Sequence, residues 1–72
     1  MNDFEKELNE KLAKMENDQK TFVKELNKLI VPQGYDAFDL SDVSDDEYDD
    51  ITEMSAYYGA KEYAQIYFKT RY

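Results

Sequence analysis

The chain has no cysteine, no histidine and no tryptophan, and only two glycines and one proline in 72 residues. Without cysteine there can be no disulfide staple and no thiolate metal site. Without histidine the side chain that most often moves protons near neutral pH is missing as well. Basic residues are scarce where acids are dense: no Lys, Arg or His lies between Gln33 and Ala60. No apolar run approaches the roughly 20 residues of a membrane span. The start at Met1 is charged and lacks the basic flank and apolar core of a secretory signal. These absences lead us to expect a soluble, cytoplasmic protein with no membrane partner and no cofactor.

What the chain does have is acid and tyrosine. Net charge is −8, distributed unevenly. Met1 to Ile30 carries seven acids against six lysines, Val31 to Met54 nine acids and no base, and Ser55 to Tyr72 one acid against three bases. The middle third therefore holds almost all of the imbalance. Such a charge disfavours direct contact with nucleic acid or anionic lipid and favours a basic partner surface. Acidic composition with a mean hydropathy of −0.90 is compatible with disorder, but eleven aromatics and sustained helical periodicity point to a folded chain. One small domain, residues 1–72, is expected, with a core so modest that tight helix packing or oligomerisation would have to support it.

The spacing predicts a helix over residues 3–30. Leu8, Met15, Phe22 and Leu29 recur every seven residues, with Leu12, Gln19 and Leu26 at the second seam position. Phe4, Val23 and Ile30 widen the stripe to a width suited to a bundle. Asn2 or Asp3 can cap the start, and Glu5 and Glu7 suit the dipole there. Glu7 with Lys11, Glu10 with Lys14 and Glu16 with Lys20 are pairs four apart in the favourable order. Leu8, Leu12, Met15, Phe22, Leu26 and Leu29 are the candidate self-association or core positions, and Gln19 interrupts the stripe as a polar seam residue, a tolerated or register-setting position rather than a ligand site.

Pro32 stops this helix, and Pro32-Gln33-Gly34 forms a turn. A loop over 31–43 carries Tyr35, Phe38 and Leu40, an apolar plug for the helix ends. Ser44 with Glu47 forms a capping box, with Asp45 and Asp46 in the first turn, and a second helical segment follows over 44–70. Its apolar positions before Gly59 (Leu40, Val43, Ile51, Met54, Tyr58) lie on the side opposite to those after it (Ala60, Tyr63, Ala64, Ile66, Tyr67). One straight helix cannot bury both sets against one neighbour: either the chain bends or breaks near Gly59, the outcome expected from a glycine there, or the C-terminal half is buried on two sides. Ser55, Ala56, Gly59 and Ala60 are small enough to let another helix approach. The fold class is all-α, an antiparallel helical hairpin or a three-helix arrangement.

The candidate binding face is Asp42, Asp45, Asp46, Asp49, Asp50 and Glu53, spaced so that a helix gathers all six carboxylates on one side. The bland reading is a solvated face that favours the helix N-terminus. The sharper one is docking onto a basic surface, because six like charges without an interleaved lysine exceed what capping needs. Carboxylates four apart rise by about 6 Å along a helix, close to the spacing of phosphates along one nucleic-acid strand. In charge and size the chain resembles the small acidic proteins with which phages and mobile elements block host nucleases or polymerases. Such a resemblance implies a nucleic-acid-binding protein as partner. Asp42, Ser44, Asp46, Tyr48, Asp50 and Glu53 also resemble positions 1, 3, 5, 7, 9 and 12 of an EF-hand loop. Glu47 stands where that loop needs glycine, which makes calcium the remote alternative.

Tyr48 and Tyr57 are the expected aromatic anchors of the acidic face, since tyrosine gives contact area at low entropy cost. Tyr58, Tyr63 and Tyr67 are expected in the core. Catalysis is not expected: Ser41, Ser44 and Ser55 have no base signalled nearby, and there is no phosphate-binding glycine loop. The sequence thus reads as a protein-binding regulator or inhibitor. The alternative is a structural or adaptor module that self-associates, as a homodimer, through the first helix.

Overall fold

The computed structural model describes residues 3–72. Three α-helices carry nearly all of the chain: α1 (Asp3–Ile30), α2 (Asp45–Tyr58) and α3 (Ala60–Arg71). Short 3-10 turns at Val31–Gln33 and Leu40–Asp42 shape the connection between α1 and α2. Among the described residues there is no strand, so the protein is all-α. Among the described residues no helix is long and apolar enough to cross a membrane. Of the two residues considered as the cap of α1, Asn2 lies outside the described residues.

The helix ends follow from local chemistry. α1 stops at Ile30, and Pro32 sits in the 3-10 turn that follows, where its missing N–H costs no helical bond. Gly34 closes that turn in a left-handed conformation, φ 98°. Ser44 caps α2, its Oγ accepting the Glu47 N–H at 3.3 Å. Gly59 ends α2 and starts α3. Its backbone (φ 94°, ψ 138°) lies outside the regions open to L side chains. Its N–H donates to the Ser55 carbonyl at 3.0 Å, while its own carbonyl accepts from Tyr63 N–H at 2.9 Å. The second helical segment is thus broken at Gly59, the outcome the conflicting apolar faces called for.

The break lets both faces reach one core. Phe22, Leu26 and Ile30 from α1 are fully buried with Ile51 of α2 and Ala64 of α3, joined by Ala60, Tyr63 and Tyr67. Phe22 is the hub. Its ring stacks on Tyr63 at 5.5 Å and meets Tyr67 and Phe38 edge-on at 5.4 and 5.9 Å. Phe38 is held from both sides of its backbone by Asn27, whose Oδ1 accepts the Phe38 N–H at 2.6 Å and whose Nδ2 donates to the Phe38 carbonyl at 3.2 Å. The plug is therefore Phe38 with partly buried Leu40. Tyr35 stays exposed and pairs edge-on with Tyr72 at 4.9 Å.

Two expectations are corrected. The pairs Glu7–Lys11, Glu10–Lys14 and Glu16–Lys20 do not close. The ion pairs among the described residues are Lys28–Glu25 and Arg71–Glu47. Exposed pairs four apart contribute only a few tenths of a kcal/mol, about 0.2–0.5, which barely offsets fixing two long side chains. Tyr58, expected in the core, is 43% exposed and lies flat against Tyr63 at 6.1 Å. It is the last residue of α2 before the break.

The core occupies only the second half of α1. Before Asp18 every described residue of that helix is exposed, and the protein measures 50 × 21 × 17 Å. α1 is about 42 Å long at 1.5 Å per residue, so its first half projects as an arm from a small three-helix body.

Candidate functional site

α2 has two faces of opposite chemistry. Ile51 and Ser55 are buried, with Met54 half-buried beside them. On the other side Asp45, Asp46, Asp49 and Glu53 are exposed, and Asp50 is half-buried at the edge toward α3. The sequence builds this face locally. The Ser44 cap starts the helix, and the acids of the first turn sit at its positive end, where they are favoured. Beyond that turn, Asp49, Asp50 and Glu53 gain little from the dipole and repel their neighbours. None of the six candidate acids belongs to an ion pair among the described residues.

Asp42 is placed differently from its companions. It closes the 3-10 turn Leu40–Asp42, which Asp39 caps by accepting the Ser41 N–H at 3.0 Å. Val43 and Ser44 are extended and separate that turn from α2. Five of the six carboxylates therefore share a helix, and Asp42 flanks it as an exposed neighbour. From Asp45 onward the segment that resembles a calcium loop is continuous helix. Its carboxylates point outward instead of wrapping a centre. No group of three potential ligands among the described residues is placed to hold a metal ion.

Glu47 was read as the returning arm of a capping box, and the structure uses it otherwise. Its carboxylate turns to α3, where Arg71 Nη2 lies 3.2 Å from Oε1. That oxygen is buried and receives no aligned hydrogen bond, so the contact is a charge pair by proximity. Arg71 in turn sits over the Tyr67 ring, 5.1 Å from its centroid. Burial first, and then the negative Glu47 beside it, push the Tyr67 phenol up to about 12. The Tyr63 phenol is raised for the same main reason, burial, with Asp50 as the nearest negative charge. Both phenols are therefore neutral donors at the inner margin of the acidic face.

The two expected anchors differ in availability. Tyr48 is 40% exposed, but its hydroxyl donates to Gln19 Oε1 at 3.3 Å. Gln19 Nε2 donates to Thr52 Oγ1 at 2.7 Å, and that hydroxyl donates on to the Tyr48 carbonyl at 2.9 Å. Tyr48 thus helps tie α1 to α2, and Gln19 fixes the register between them. Tyr57 is 78% exposed and touches Tyr58 edge-on at 4.8 Å. Four residues beyond Glu53, it stands on the same sector and ends the acidic face with an aromatic ring.

The positions read as a self-association seam divide in two. Phe22 and Leu26 are fully buried in the body, and Leu29 packs against that core. Leu8, Leu12 and Met15 remain 47%, 49% and 41% exposed, and Phe4 74%. Sequence reasoning missed the groove of about 350 Å³ between α1 and the Leu40 turn, lined by Val23, Leu40, Lys20, Lys24, Glu16, Gln19 and Asp39. Only the tertiary approach of the connection creates it, and no local pattern announces it. Comparison of the chain with protein-family models, with curated proteins and with solved structures gives no match.

Proposed function

We propose that the protein is a non-catalytic binding regulator or inhibitor that docks the acidic side of α2 onto a basic protein surface. One observation carries this reading: four exposed carboxylates and a half-buried fifth share one helix side, none belongs to an ion pair among the described residues, and a 78% exposed tyrosine ends the row. An uncompensated row of charge costs helix stability, whereas a solubilising surface is served as well by mixed signs. Asp45, Asp46, Asp49, Asp50 and Glu53 steer and pair with lysine or arginine, Asp42 extends the field toward the connection, and Tyr57 supplies apolar area. Tyr48 is an edge contact whose hydroxyl is already engaged. The sharpest form of the reading is occupation of a nucleic-acid-binding groove on the partner, with carboxylates in place of phosphates.

The test is retention of host proteins on the immobilised chain, compared with a triple charge reversal at Asp45→Lys, Asp49→Lys and Glu53→Lys. These positions are exposed, so helicity should survive the change, with a small loss of stability from Asp45→Lys, where a lysine opposes the helix dipole. The expected result is a partner that elutes as salt is raised, is lost by the triple variant and is displaced by added DNA or RNA. Retention of the same proteins by a folded triple variant refutes the reading.

A second reading is favoured by a separate observation, the exposed Phe4, Leu8, Leu12 and Met15 on the α1 arm. Here the protein is a structural or adaptor module that self-associates, and the acids only keep it soluble. This reading predicts that polar substitutions on the α1 stripe abolish association while reversal of the acids leaves it intact.

A further inference from the structure

We infer that two copies of this chain pair antiparallel through their α1 arms alone, leaving a three-helix body and its acidic face at each end. The inference rests on the self-association reading and specifies its geometry. Its starting point is that one apolar stripe on α1 serves two purposes. From Gln19 to Ile30 the stripe is covered by α2 and α3, whereas Phe4, Leu8, Leu12 and Met15 continue the same face with nothing upon it. A large apolar side chain presents about 200 Å² when fully exposed. At their observed exposures the four leave roughly 400 Å² bare, a contiguous patch within the roughly 300–600 Å² of the largest patch on a typical monomer, which is often functional.

A second arm fits that patch in area. Two arms meeting along it cover about 800 Å², and the aliphatic stems of Lys11, Lys14, Glu5 and Glu16 extend it toward the roughly 1,200 Å² at the lower edge of specific interfaces. The expected dimer is accordingly weak and concentration-dependent. Direction follows from sterics. A parallel partner running along the stripe would bring its own α2 and α3 to the place this body already occupies. An antiparallel partner ends where α2 begins and continues the three-helix packing end to end.

Register follows from the seam. Pairing Leu8 with Leu12 of the second copy, and Met15 with Phe4 and Glu5, keeps both arms clear of the bodies. It also places Glu7 of one copy near Lys11 and Lys14 of the other, opposite charges repeated by the two-fold axis. The other flank brings Glu5 toward Glu16 of the second copy, a like-charge contact. Together with −8 on each chain, this makes association tighten as salt screens the repulsion. Docking of the acidic face on a basic partner responds to salt in the opposite sense.

Sedimentation up to millimolar protein at high salt, together with spin-label distances on Lys28→Cys, decides the matter. The chain has no native cysteine to interfere. The expected result is a dimer whose label separation is about 55 Å, from 1.5 Å per residue at this register. A monomer at every concentration overturns the inference together with the self-association reading. A dimer with labels within about 20 Å leaves self-association standing and overturns the antiparallel arrangement. Leu8→Glu with Leu12→Glu should weaken the dimer by more than about 100-fold, while near-ultraviolet tyrosine signals of the body persist. A dimer unchanged by that pair of substitutions, with the body intact, also overturns the inference.

Discussion

Replacing Gly59 with L-alanine isolates the backbone contribution to this fold. The residue is exposed, and a Cβ on the L side meets nothing within 4 Å, so a clash cannot contribute. What changes is the conformation required, φ 94° with ψ 138°. An L residue held in so sparsely populated a region costs on the order of 1–3 kcal/mol. For a chain this short each kcal/mol moves the midpoint by about 4–8 °C, so L-alanine should lower Tm by roughly 4–20 °C. Circular dichroism at 222 nm follows both thermal and urea unfolding. If the L-alanine variant melts with the parent and its helicity rises, α2 and α3 form one continuous helix and the reasoning is refuted.

Asn27→Ala removes both clamps on the Phe38 backbone and leaves a half-buried N–H and carbonyl without their partner. A loss of about 1–3 kcal/mol is expected by urea titration, with faster amide exchange at Phe38; an unchanged midpoint would show that ring packing alone seats the plug. Alkaline titration at 295 nm should show a late step near 12 from Tyr67. Its folded pKa is raised, so this contribution to stability is intact below about pH 10 and is lost as pH climbs toward 12, on the order of 2 kcal/mol in all. Tyr67→Phe should remove that late step, and a late step that survives the substitution would assign it elsewhere.

Much of the architecture was legible in the chain. The seven-residue recurrence from Leu8 to Leu29, the stop at Pro32 and the cap at Ser44 are local signals, because helix periodicity and end chemistry act over a few residues. The acidic side of α2 was legible for the same reason, apart from Asp42, which the extended Val43 and the Ser44 cap separate from the helix. Gly59 was a mixed case. Two incompatible apolar faces called for either a break or burial of the C-terminal half on two sides, and glycine was the residue that could supply the break.

The remaining features depend on contacts between distant residues. Glu47 satisfies the pattern of a capping box, yet Arg71, 24 positions later, takes its carboxylate, and nothing near Glu47 in sequence foretells that competition. Tyr48 and Tyr57 look alike in the chain, and only the approach of Gln19 separates a tethered ring from a free one. The stripe of α1 is the clearest example. Periodicity established that Phe4, Leu8, Leu12, Met15, Phe22, Leu26 and Ile30 face one way, because the helical repeat is a property of the backbone. Which of them would be covered was decided by the lengths of α2 and α3. Their 14 and 12 residues span only about 20 Å of an axis twice as long, and the rest of the stripe is left facing outward.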